Sequence, residues 1–140
     1  MSRLLALFGA ASLLTALAAH AETVSFKGNL SGGAETPPKV TDGKGTATAS
    51  LDTATKTLTY SIEYTGLTGP ATAAHFHGPA DPGANAGVVV PFASPASPAT
   101  GTTTLTDAQM ADLMAGKWYA NVHTATNPAG EVRGQMARSQ

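Results

Sequence analysis

The chain has no cysteine among its 140 residues, which removes disulfide bridges, thiolate metal ligands and cysteine nucleophiles together. Charge is scarce as well: only 12% of the residues are charged, for a formal net charge of −1. There is no basic stripe and no basic amphipathic helix, so nothing would neutralise a nucleic-acid backbone or hold the chain to an anionic membrane surface. Motifs of known catalytic machinery are also missing. No His-Glu-x-x-His helix and no phosphate loop occur, and Asp52, Asp107 and Asp112 sit in turn or helix-start contexts rather than in a Ser-His-Asp pattern. No catalytic residue is assigned.

Long apolar stretches are limited to one. Arg3 precedes a nearly continuous apolar run, Leu4 to Ala19, that ends in Ala19-His20-Ala21, a small-x-small cleavage signal. A membrane anchor needs about 20 uninterrupted apolar residues and no processing site. Residues 1–21 therefore read as an export signal peptide, and 22–140 as a single domain with no membrane span once the signal is cut. Export without cysteine fits a periplasmic or secreted protein. Cleavage after Ala21 discards His20, so His75, His77 and His123 are all the histidines that remain.

The remaining signals are those of an all-β domain. Val24, Phe26 and Leu30 alternate with polar residues, as do Leu58, Tyr60, Ile62 and Tyr64. Further strands are expected at 45–51, 72–77, 87–92, 100–105, 117–124 and 131–137, with Gly/Pro/Ala-rich connections at 78–86 and 93–99. Thr106-Asp107-Ala108-Gln109 matches a capping box, and Met110, Leu113 and Met114 make an apolar stripe that Gly116 is placed to end. That spacing predicts one short helix, with the two methionines in the core rather than on a metal. About eight strands with regular turn signals argue for an antiparallel β-sandwich of the Greek-key, immunoglobulin-like kind.

Two segments carry the chemistry, Ala74-His75-Phe76-His77-Gly78 and Tyr119-Ala120-Asn121-Val122-His123-Thr124. Side chains alternate across a strand, so His75 and His77 share one face while Ala74 and Phe76 share the other. The same parity sets Tyr119, Asn121 and His123 against Trp118, Ala120 and Val122. With the apolar faces inward, all three imidazoles look out of the core on the same side. Neutral imidazole is the commonest protein ligand for zinc and copper, so the two strands predict a mononuclear site of three histidines. The last strand adds neighbours. Glu131 and Arg133 would lie on the histidine side of the hairpin partner of 117–124. Arg133 stays protonated and so can support but not ligate a metal; its other reading is an ion pair with Glu131 or Glu63. Glu35 could close onto this face from its loop, and Asn121 already shares it.

Gly33-Ala34-Glu35-Thr36-Pro37-Pro38, Ala74 to Gly78, Gly116 to Thr124 and Asn127 to Gln135, in that order, resemble the CHRD (chordin-type) domain. The resemblance implies a β-sandwich module of extracellular proteins and of single exported bacterial domains, and it implies no settled activity. A weaker likeness is to Cu,Zn superoxide dismutase, in which a His-x-His pair and a late histidine bind copper. The bridging histidine and the cysteines of that family are absent here, which leaves a mononuclear site. Copper is favoured by affinity order, with zinc as the alternative. The expected function is an exported metal-binding protein. The other is a non-catalytic protein-binding or adhesion module, with another exported protein as partner, whose histidines tie the two segments together by hydrogen bonds.

Overall fold

The structure, a computed structural model, describes residues 20–140, so the segment read as a signal peptide lies outside the described residues except for His20 and Ala21. Nine strands and one α-helix follow, besides a 3-10 turn at Gly32–Ala34: β1 (Thr23–Ser31), β2 (Lys44–Asp52), β3 (Thr57–Thr65), β4 (Ala71–His77), β5 (Val88–Pro91), β6 (Ala99–Thr104), α1 (Asp107–Met114), β7 (Tyr119–Thr124), β8 (Val132–Gln135) and β9 (Ala137–Ser139). The fold is all-β and antiparallel. Its strands form one hydrogen-bonded path, β5-β4-β7-β8-β1-β2-β3-β6, with β9 added to β1. Among the described residues no helix is long and apolar enough to cross a membrane.

Local chemistry sets the elements. Asp52 ends β2 by accepting from the backbone N–H groups of Ala54 and Thr55 at 2.9 and 3.0 Å, an Asx turn that returns the chain as β3. The hairpin then pairs without a slip from Asp52–Thr57 to Lys44–Thr65. At the start of α1, Thr106 Oγ1 accepts from Gln109 N at 3.1 Å while Gln109 Oε1 accepts from Thr106 N at 3.0 Å, which satisfies two otherwise orphaned donors. Met110 and Met114 pack from this helix against the core.

The sheet folds over on itself. Tyr60 of β3 meets Phe76 of β4 edge-on at 5.4 Å although the two strands are not neighbours, and Phe76 also packs on Phe92 and Trp118. This cluster continues through Phe26, Leu51, Leu58, Ile62, Val122 and Val132, all buried. Gly78 allows the close approach behind β4, since a Cβ there would stand 2.6 Å from Trp118 Cδ1.

Two expectations need correction. The last strand is not continuous from 131 to 137: it breaks at Met136, whose fully buried side chain joins the core, and β9 then leaves β7 to pair with β1. The face opposite the core is also not uniformly open. It is exposed and Ser/Thr-rich on β1, β2 and β3, but on β7 and β8 it is covered, with Tyr119, Asn121 and Arg133 only 3, 3 and 1% exposed. Residues 33–38 and 78–87 form the cover, and Asn85 Nδ2 donates to Thr36 O at 3.1 Å to join its two halves.

Candidate metal centre

β4 and β7 pair with His75 opposite Asn121, His77 opposite Tyr119 and Ala73 opposite His123. Histidines two apart on one strand share its face, and this register brings the third imidazole beside them. The ring centres lie 4.8 Å (His75–His123), 5.3 Å (His75–His77) and 6.3 Å (His77–His123) apart. One nitrogen from each ring lies within 4.8 Å of the others, so the three histidines are close enough to hold a single metal ion. Phe76 and Val122, on the opposite face of the same strands, are anchored in the core.

Hydrogen bonds fix which nitrogens are free. His77 Nδ1 lies 2.9 Å from Ala86 O and His123 Nδ1 lies 2.9 Å from Pro128 O. A carbonyl only accepts, so both Nδ1 atoms carry hydrogen and each neutral ring presents an Nε2 lone pair. His77 Nε2 is buried and has no hydrogen-bond partner in the protein, while His123 Nε2 meets His75 Nδ1 at 3.0 Å. A histidine with its remote N–H on a carbonyl is the usual arrangement of a metal ligand. Burial, and after it the neighbouring His123 and His77, together lower the His75 imidazole to a pKa of about 4. Burial also lowers His77, against the opposing pulls of the Ala86 carbonyl and the Asn121 side chain. These two rings are therefore neutral at pH 7, the form that binds metal.

The CHRD domain family model matches residues 26–136, from the middle of β1 to the buried Met136, and takes in all three histidines and the strands that position them. The chain belongs to the CHRD domain family. No curated protein and no solved structure matches it.

Around the histidines of this CHRD domain the remaining candidates fall into two groups. Arg133 is brought in. Its guanidinium carbon sits 3.5 Å above the Tyr119 ring, which stacks in parallel on His77 at 4.8 Å. It is thus no farther from the His77 ring centre than the sum of those two separations, inside the roughly 10 Å over which charges interact at moderate salt. Arg133 pairs with neither Glu131 nor Glu63; it donates to Asn85 Oδ1, Ala84 O and Asp81 O at 3.0, 2.6 and 3.4 Å, which clamps the loop bearing Ala86. Asn121 is brought in too, with Oδ1 3.0 Å from His123 Nε2. Glu35 closes over it, 6% exposed; burial pushes its carboxyl up to about 7 against the downward pull of Arg133 and the Asn121 amide.

Glu131 is not brought to the histidines. It precedes β8 instead of lying in it, and its carboxylate accepts from Thr41 Oγ1 at 2.6 Å, Thr124 Oγ1 at 2.6 Å, and the Thr68 N and Oγ1 at 2.9 and 2.8 Å. Gly130, at φ +125°, turns the chain just before it, so strand parity does not extend back to 131. Tyr119 joins the site as well, though it was not among the residues expected there: its hydroxyl donates to Ala86 O at 3.2 Å and accepts from Ala86 N at 3.1 Å. Its place on the histidine face was the available signal. The carbonyls of Ala86 and Pro128 leave no trace in side-chain identity.

Proposed function

We propose that this CHRD domain is an exported protein that binds one metal ion, copper or alternatively zinc, through His75 Nδ1, His77 Nε2 and His123 Nε2. The observation that carries the reading is the buried Nε2 of His77, which has no hydrogen-bond partner in the protein and belongs to a ring set whose ligand nitrogens lie within 4.8 Å of one another. Leaving such a group unpaired costs about 1–3 kcal/mol, which a metal would offset. The separations support it as well. Nitrogens on a tetrahedral zinc with bonds of about 2.0–2.1 Å stand about 3.4 Å apart. His75 Nδ1 and His123 Nε2, at 3.0 Å, are already at that range, and the whole set lies within 4.8 Å. His75 would pass its proton from Nδ1 to Nε2 as it ligates, a tautomer change with no net proton release.

The hydrogen bond between His75 and His123 favours a second reading, in which the histidines hold β4 to β7 in a protein-binding module. Chelator-competition titrations with Cu²⁺ and Zn²⁺ separate the two. The metal reading expects one equivalent bound by the wild-type domain and a large loss of affinity in His75→Ala, His77→Ala and His123→Ala alike. Unchanged affinity in all three variants, together with a marked loss of metal-free stability, would leave the module reading standing.

A further inference from the structure

We propose that Asn121 Oδ1 is the fourth donor of the site, its amide nitrogen turned to Glu35 in the space that Gly130 leaves; this rests on the reading of the three histidines as a metal site. Two like groups face each other beside the histidines. His123 Nδ1 places its hydrogen on Pro128 O, which leaves Nε2 turned toward Asn121 Oδ1 at 3.0 Å, and an amide oxygen is itself an acceptor. Two acceptors at hydrogen-bond distance repel unless a proton or a cation lies between them. The cluster has one proton to offer between its rings, that of His75 Nδ1, and His77 Nε2 is left buried without a partner. A single cation would serve all four atoms.

The surroundings of Asn121 hold its amide in this orientation. Its Nδ2 is on the side of Glu35: Glu35 Oε1 and Asn121 Nδ2 stand 2.5 and 2.6 Å from the point where a side chain on residue 130 would begin. Only glycine at 130 leaves room for both, and only glycine readily adopts its φ of +125°. With Nδ2 on the Glu35 side of the amide, Oδ1 faces the histidines, 3.0 Å from His123 Nε2. Three nitrogens and one oxygen suit a divalent ion, Zn²⁺ or Cu²⁺, better than Cu⁺, which prefers softer donors.

The test compares Zn²⁺ and Cu⁺ affinities, by competition with a chromophoric chelator, for the wild-type domain, Asn121→Leu, Glu35→Gln, the double exchange Glu35→Gln/Asn121→Asp, and His77→Ala. Asn121→Leu keeps the side-chain volume without the oxygen and should weaken Zn²⁺ by at least about tenfold while leaving Cu⁺ nearly unchanged. Glu35→Gln alone should also weaken Zn²⁺, and the double exchange should restore it, because amide and carboxylate have then traded places with donor and acceptor still matched. Wild-type Zn²⁺ affinity in Asn121→Leu, with His77→Ala much weaker, overturns the fourth donor and leaves the histidine site intact. Wild-type affinity in His77→Ala overturns both. Should Asn121→Leu not fold, the double exchange decides: failure to recover Zn²⁺ binding relative to Glu35→Gln overturns the proposal.

Discussion

Glu131 and Arg133 are two positions apart, both fully enclosed, and do different work. Burial alone would raise the Glu131 carboxyl, but hydrogen bonds from Thr124, Thr41 and Thr68 outweigh it and hold the group at about 2, below the ordinary 4.5. A carboxylate whose folded pKa lies below its unfolded value contributes stability that is complete above about pH 4.5 and is lost as pH falls through about 2. Denaturant melts from pH 7 to pH 2 should therefore show the wild-type domain weakening in that window. Glu131→Gln should be less stable at pH 7 and show a shallower acid loss; parallel curves would refute the role. Arg133 acts through its fork. Three acceptors on the 81–85 loop and the face of Tyr119 match a planar guanidinium and not an ammonium. Arg133→Lys should consequently behave like Arg133→Ala, keeping the metal stoichiometry but lowering affinity by roughly 10–100-fold, since the loop that orients His77 loosens. Full affinity in the lysine variant would mean that charge alone matters.

At the scale of the element, period-two alternation did most of the assignment. His75, Phe76 and His77 are consecutive, yet Phe76 is enclosed by Tyr60, Phe92 and Trp118 while the imidazoles gather on the other face of β4. In the metal-free domain Phe76→Ala should cost about 3–5 kcal/mol. His77→Ala should cost about 1 kcal/mol, because Ala86 O keeps the Tyr119 hydroxyl as a donor. The reverse order in denaturant melts would mean the faces are assigned backwards. The strands, the capping box of α1 and the histidine parity were legible because each is a short-range pattern in side-chain type. Glu131 was not, because parity was carried across a glycine at positive φ where the strand had not yet begun. The switch of β9 to β1 was hidden for a similar reason: the buried Met136 reads like any apolar strand residue until its partners are known.

Across the whole molecule the two halves of the sheet are used differently. β1, β2, β3 and β6 turn a Ser/Thr-rich face to solvent, which suits a chain with so few charges, whereas β4, β7 and β8 are covered by residues 33–38 and 78–87. That cover was invisible in the sequence, since it depends on Arg133, Asn85 and backbone carbonyls meeting across long separations. It raises the cost of leaving His77 Nε2 unpaired, which on the proposed reading favours a bound cation. The central claim is tested most directly by nuclear magnetic resonance of the domain labelled with ¹⁵N at histidine, followed through a Zn²⁺ titration. A metal site of three histidines should show Nδ1–H tautomers for His77 and His123 before metal, then coordination shifts at His77 Nε2, His123 Nε2 and His75 Nδ1 that saturate together at one equivalent. Imidazole resonances that stay unmoved through excess Zn²⁺, or that shift without saturating, would contradict it.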